Sequence, residues 1–422
     1  MISDAPSAPT EAYVWVWLPG AVTPVVAGRL AAEDGQLHFN YGRSYLDRPE
    51  AIPLYEPELP LRPGRLPLPA GLSMPGCLRD AAPDAWGRRV ILNRLLGARG
   101  ADADPVVLDE LVYLLESGSD RVGALDFQAS ATIYRPRLGA GASLEQLLAA
   151  ADLVQRGQVL PPELDAALLH GSSIGGARPK ALIEDEGRKF VAKFSTAGDL
   201  YNVVKAEFIA MRLARLCGLD VAPVSLARAA GRDVLLVERF DRARTAAGWT
   251  RRPLVSALTL MGLDEMMARY ASYAQLAEII RRRFHDAPAT LAELFGRLVF
   301  NVLCGNTDDH ARNHAAFWDG SMLALTPAYD ICPQPRSGNE ASQAMMITDG
   351  RNLSRVATCL EAAPHFLLSQ DRALAVVRDQ VACITAHWDG VCAEAALPEI
   401  DRRTLWQRQF LNPDALIGLD GA

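Results

Sequence analysis

Apolar residues are spaced differently in the early and late parts of the chain. The early part shows short β-branched and aromatic runs at Tyr13–Leu18, Val25–Ala27 and Leu37–Tyr41, separated by turn residues such as Pro19 and Gly20. These runs predict three strands. Pro83 and Asp84 open a helix through Trp86, Val90, Ile91 and Leu96 that stops near Gly97, with proline at the first helical position. Residues 12–132 therefore read as a small α+β domain, and 133–143 as a turn-rich connection before a helix from Ser143 to about Val154. Next come a hairpin with arms Lys180–Glu184 and Arg188–Phe194, a helix with a core stripe at Ala206, Ile209, Leu213 and Leu216, and two strands, Pro223–Leu226 and Val234–Val237. Asp199 or Asn202 caps that helix and Gly218 stops it. From Ser256 the spacing turns helical. It is strongest at Leu291, Leu294, Phe295, Leu298, Val299, Val302 and Leu303, the i, i+3, i+4, i+7 rule of a core-facing helix. A β-rich region, 144–255, thus precedes an α-rich one, 256–422.

A length of 422 residues predicts two or three domains, and half the residues are hydrophobic. The net charge of −7 argues against a surface that grips nucleic-acid phosphates. The arginines at 239, 242, 244, 251 and 252 read as a solvated face or a turn. Seven cysteines without a C-x-x-C pair fit a reducing, cytoplasmic setting and no zinc site. The uncharged run from Ala12 to Gly28 is broken by prolines and glycine, so it reads as a hairpin and not as a membrane span.

Candidate chemistry concentrates after the Leu291 helix, in a polar loop holding Asp308, Asp309, His310, Arg312, Asn313 and His314. Asp308 and Asn313 have the five-residue spacing of a protein-kinase catalytic loop, in which the Asp takes the hydroxyl proton and the Asn holds magnesium. Asp330 follows after an apolar strand, where a second metal ligand would stand. Each residue alone is as well explained by a helix cap or a turn; the three in this order favour the catalytic reading. Upstream, Gly171, Gly175 and Gly176 give a loop able to approach phosphates closely, although it is neither G-x-G-x-x-G nor a Walker motif. Lys193 on the returning strand and Glu207 on the next helix have the order of the kinase lysine–glutamate pair, and Glu238 and Phe240 fall where an adenine would meet the connector.

With those residues in place, the chain resembles the HipA family of bacterial serine/threonine kinases, the toxins of HipA–HipB toxin–antitoxin pairs. The matching stretches are SIGGARPKALI from Ser173, LLVERFDR from Leu235, NTDDHARNHA from Asn306 and LTPAYDI from Leu325. The resemblance implies an α+β, bilobal kinase-like fold with a β-rich N-terminal lobe, an extra N-terminal subdomain and a helical C-terminal lobe. It implies ATP and Mg²⁺ as cofactors, Asp308 as catalytic base, and Asn313 and Asp330 as metal ligands. Ser173, Gly175, Gly176, Ala177, Lys193, Glu207, Glu238, Phe240 and His310 would bind the nucleotide. Ser173, or Ser172 beside it, would be the autophosphorylated serine that switches the enzyme off. A HipB-like DNA-binding antitoxin and an aminoacyl-tRNA synthetase substrate are implied in the same way. Asp309, a second carboxylate beside the base, would alter the metal geometry or face solvent. The competing readings are a small-molecule phosphotransferase of the aminoglycoside type and a non-catalytic pseudokinase.

Overall fold

The computed structural model describes residues 8–97, 108–139, 141–169, 171–196, 198–336 and 338–419. The chain forms two compact units. One comprises the residues up to Thr196 together with Asp241–Leu254 and Asp319–Ser321, and the other is the remainder.

The first unit begins with an antiparallel four-stranded sheet in the order Gln36–Tyr41, Val25–Glu33, Glu11–Val16, Leu125–Gln128. The predicted strands all appear: the first is shifted two residues earlier and ends at Val16, while the second and third are longer than their apolar runs because backbone pairing continues past them. Gly28 is required at the centre: a Cβ there would lie 2.2 Å from the Asn40 carbonyl and 2.6 Å from the Phe39 ring. Beneath the sheet, helix Ala85–Leu96 buries Trp86, Ile91 and Leu92 with Tyr113 from helix Glu110–Glu116. Pro83 does not occupy the first helical position as expected. The N-cap is Asp84, and its carboxylate makes no bond to the helix. Helix Leu144–Gln155 starts at Ser143 with a reciprocal capping box to Gln146. The hairpin of Lys180–Asp185 and Arg188–Phe194 turns through Glu186 and Gly187, both at positive φ, as a two-residue loop requires.

Among the clustered arginines, Arg244 and Arg252 are exposed as a solvated face would be, but Arg242 is a buried ion-pair partner and Arg251 packs on an aromatic ring. Arg242 is only 7% exposed and bonds Asp120 at 2.8 and 3.0 Å and Asp241 at 2.9 Å. The Arg251 guanidinium lies 3.4 Å from the centre of the Trp17 ring. Arg121 and Asp126 form a second pair, fully buried, at 2.9 Å. Such charges leave water only when paired and hydrogen-bonded.

The second unit is built around helix Ala287–Cys304, where all seven stripe residues are at 0% exposure. Each buried Leu, Val or Phe side chain is worth roughly 1.5–3 kcal/mol, so this helix anchors the unit. It has the length and apolarity of a membrane span, but 67% of that window is buried inside the fold. It starts four residues before Leu291 because Asp286 caps Ala289 N and a proline fits the first turn. Gly305, at φ 72, closes its far end, and the chain between 409 and 415 backs that end. The Leu411 amide donates to the Leu303 carbonyl at 2.7 Å, and a Cβ on Gly305 would meet the Gln409 carbonyl at 2.7 Å. Helix Val203–Leu216 is capped by Asn202, which accepts from Lys205 N, and it leads into the hairpin Val224–Ala229/Arg232–Glu238. Among its further helices the unit also holds a short hairpin of Ala315–Trp318 and Leu323–Leu325, with the strand ending at Ser256 beside Ala315–Trp318.

Candidate active site

The core helix delivers Asn306 and Thr307 straight into the polar loop. Asp308 stands exposed on it, while Asn313, 8% exposed, closes the short 3₁₀ turn Ala311–Asn313. The Asn313 side-chain nitrogen lies 3.4 Å from the Asp308 carbonyl, which ties the two ends of the loop and turns the amide oxygen the other way. Asp330 lies past the small hairpin, half-buried, at φ 58. A left-handed conformation is uncommon for a side chain with a Cβ, least so for Asp and Asn. Asp308 and Asp330 come close enough to interact. The Asp308 carboxyl is raised above its ordinary value, first by partial burial and then by the charges of Asp330 and Asp309, with His310 opposing.

Asp309 neither faces solvent nor joins Asp308. It is 3% exposed and points into the core, where it accepts a hydrogen bond from the Tyr273 hydroxyl and lies 3.0–3.1 Å from His314 Nε2. Burial pushes its pKa up, but His314, the Tyr273 hydrogen bond and His310 together reverse this, so it is held below the usual carboxylate range. The two adjacent carboxylates thus take opposite sides, Asp308 exposed and Asp309 buried. His310 is half-buried beside Asp308, with Nδ1 lacking a partner among the described residues. Phe240 is half-buried with its ring 5.6 Å from Tyr329, next to Asp330, and 5.9 Å from Phe317. Glu238, also half-buried, ends its strand with its amide on the Pro223 carbonyl, and Glu207 is 3% exposed on helix Val203–Leu216.

The glycine-rich loop lies in the first unit, held by neighbours that sequence reasoning did not single out. The Asp84 carboxylate accepts from Gly176 N, Trp86 N donates to the Gly176 carbonyl at 3.2 Å, and Trp86 Nε1 donates to the Lys180 carbonyl at 3.0 Å. Lys180, 4% exposed, directs its ammonium to the Gly175 carbonyl. The Ser172 hydroxyl donates to the Leu169 carbonyl at 2.7 Å and accepts from Gly118 N at 3.1 Å. Ser173 is equally buried, at 1%, but its oxygen has no partner among the described residues. Ala177 is exposed at the loop tip, and Lys193 is half-buried on the strand opposite Lys180. The only sequence signal for these supports is the loop's own motif, because its anchors lie up to 94 positions away.

Asn313 and Asp330 offer amide and carboxylate oxygens, the donors Mg²⁺ takes. Asp308 and Asp330 lie near enough for their charges to act on each other, and a divalent cation beside them would relieve that repulsion. The residues fit such an ion.

Family profiles match in two places: the HipA N-terminal domain over residues 16–128 and the HipA-like C-terminal domain over 172–388. Y4mE of Sinorhizobium fredii, whose name marks it provisionally as a kinase, is 28% identical over 324 residues, 70% of this chain and 72% of that protein. The serine/threonine-protein kinase toxin HipA of Shewanella oneidensis is 26% identical over 184 residues, 38% of this chain and 42% of the toxin. A chain of the solved Shewanella oneidensis complex of HipA, HipB and operator DNA superposes with a TM-score of 0.63 at 19% identity, 93% of each chain being covered, and so shares the fold. With both domains matched in order, and with relatives that carry kinase names, this chain belongs to the HipA family of kinases.

Proposed function

We propose that the protein is an ATP- and Mg²⁺-dependent serine/threonine protein kinase of the HipA toxin type. What supports this reading is that the Asn313 amide reaches the Asp308 carbonyl and that Asp330, from beyond the small hairpin, lies near enough for its charge to act on the Asp308 carboxyl. In this reading residues 12–132 form the N-terminal subdomain, 144–255 carry the phosphate loop and hinge, and 256–422 carry the catalytic loop and metal site. Asp308 accepts the proton of the incoming hydroxyl and orients it. Asn313 and Asp330 would hold Mg²⁺, which when bound neutralises phosphate charge. Lys193 and the amides of Gly175 and Gly176 face the phosphates, Ala177 caps the loop, and Glu207 supports the lysine. Glu238 and Phe240 form the adenine hinge, and His310 sits beside the base.

Ser173 is the site of autophosphorylation in this reading, and Ser172 is a structural neighbour. The Ser172 hydroxyl is committed to two hydrogen bonds, whereas that of Ser173 is unengaged. A phosphate there would add up to two negative charges to a loop that must receive those of ATP, switching the enzyme off. The partners are a HipB-like antitoxin, in line with the Shewanella complex, and an aminoacyl-tRNA synthetase as substrate. The setting is cytoplasmic, in keeping with seven free cysteines. The test is incubation with γ-labelled ATP and Mg²⁺, followed by site mapping. Label on Ser173, lost in Asp308→Ala, is expected; an Asp308→Ala protein that labels as well as the parent rejects the assignment.

A further inference from the structure

A string of buried side chains runs beneath the catalytic loop, and none of them faces the reaction. It begins at Asn306, whose side-chain nitrogen donates to Asn301 Oδ1 at 3.0 Å and lies 3.5 Å from the main-chain carbonyl of Asp330. The Asn301 side chain also neighbours the Tyr273 hydroxyl, which donates to Asp309 and lies 3.3 Å from His314 Nε2. Asp309 in turn is gripped by His314 Nε2. Tyr273 is at 0% exposure, and Asn301, Asn306, Asp309 and His314 are all at 4% or less.

What this string joins matters more than its burial. Asp309 directly follows the base Asp308, and His314 directly follows the metal ligand Asn313, so one carboxylate–imidazole contact clamps both ends of the loop. The other end of the string reaches the backbone of Asp330. The His314 carbonyl is fixed as well, accepting from Ala257 N at 2.8 Å. A hydrophobic core alone would leave the loop free to slide along its floor. Directional bonds to Asp309 fix its register, because a displaced loop would leave a buried carboxylate unsatisfied.

We infer that Tyr273, Asn301, Asp309 and His314 are positioning residues that set the spacing of Asp308, Asn313 and Asp330. The inference rests on the kinase reading above. Displacing a reacting group by about 1 Å costs roughly 100-fold in rate.

The test uses the full chain and its own transfer of label from γ-labelled ATP in Mg²⁺. Tyr273→Phe keeps the ring in the core and removes one hydroxyl. Asp309→Asn removes the carboxylate charge, His314→Gln removes the imidazole, and the double variant Asp309→Asn/His314→Gln puts a neutral amide pair in their place. Thermal melts and titration with a fluorescent ATP analogue count the folded, nucleotide-competent molecules. Expected are losses of roughly 10- to 100-fold in kcat per competent molecule, unchanged KM for ATP, and partial recovery in the double variant. A purely structural role would lower the melting temperature and leave kcat per competent molecule at the parental value, which would overturn the inference. No transfer by the parent chain would instead strike the kinase reading, so the two failures are distinguishable.

Discussion

Gly87 lies one turn into helix Ala85–Leu96, and a Cβ built on it would sit 1.8 Å from the Ser172 carbonyl oxygen and 2.9 Å from the Pro83 side chain. Ordinary contact begins at 3.4 Å, so Gly87→Ala must separate helix and loop by well over an ångström. The helix is fixed in the core through Ile91 and Leu92. The loop is held by individual hydrogen bonds at Ser172, Gly176 and Lys180, each worth about 0.5–1.5 kcal/mol net. Overpacking of this kind costs about 1–3 kcal/mol, enough to break one or two of those bonds, so the loop is the part that yields. If the loop receives phosphates as proposed, moving it should weaken ATP binding by roughly 10- to 100-fold, each factor of ten being about 1.4 kcal/mol. Titration calorimetry with Mg-ATP measures this, alongside a melt to show the variant is folded. Gly390→Ala is the control: that glycine lies inside helix Gln370–Glu394 with nothing within 4 Å, so alanine there should stabilise by about 0.5–1 kcal/mol without altering affinity. A folded Gly87→Ala protein that binds ATP like the parent would refute the idea that the helix sets the loop's position.

Asp330→Gly should separate stability from activity. Glycine adopts φ 58 freely, so the melting point should rise by the equivalent of about 1 kcal/mol while label transfer disappears. In the first unit, Asp126→Asn leaves Arg121 without its buried counter-charge and should cost about 3–5 kcal/mol in denaturant melts at neutral pH. Acid should act on the same pair. Burial raises the Asp126 pKa, but Arg121 and Arg137 outweigh it and hold it below the unfolded value near 3.9, so its stabilisation is complete above that value and is lost as pH falls through the folded one. The acid limb should be shallower in Asp126→Asn, and an unchanged limb would show that the pair does not govern it.

Much of the fold was readable because its elements announce themselves over short spans. The core helix carries seven apolar positions at helical spacing, and all are buried. Its first turn was missed because Ala287 to Thr290 has no apolar periodicity and depends on Asp286 as a cap. At the site, the types and order of Asp308, Asn313 and Asp330 were legible as a pattern. The direction of Asp309 was not, because adjacency along the chain says nothing about which side of the loop a carboxylate takes. Tyr273, which decides the matter, is 36 positions away. Asp84 shows the same limit: its place at a helix start was plain, but its carboxylate serves Gly176, 92 positions on.

The seat of the catalytic loop carries a consequence for how the protein is made. Gly305 and Leu303 rest on Gln409 and Leu411, and these emerge from the ribosome long after the turn they support. If the protein is the kinase proposed above, a chain assembled in this order gains phosphoryl transfer only after translation has passed Leu411. Nascent chains arrested at Leu405 should accordingly take up no label from γ-labelled ATP; labelling of such chains would show that the seat is dispensable.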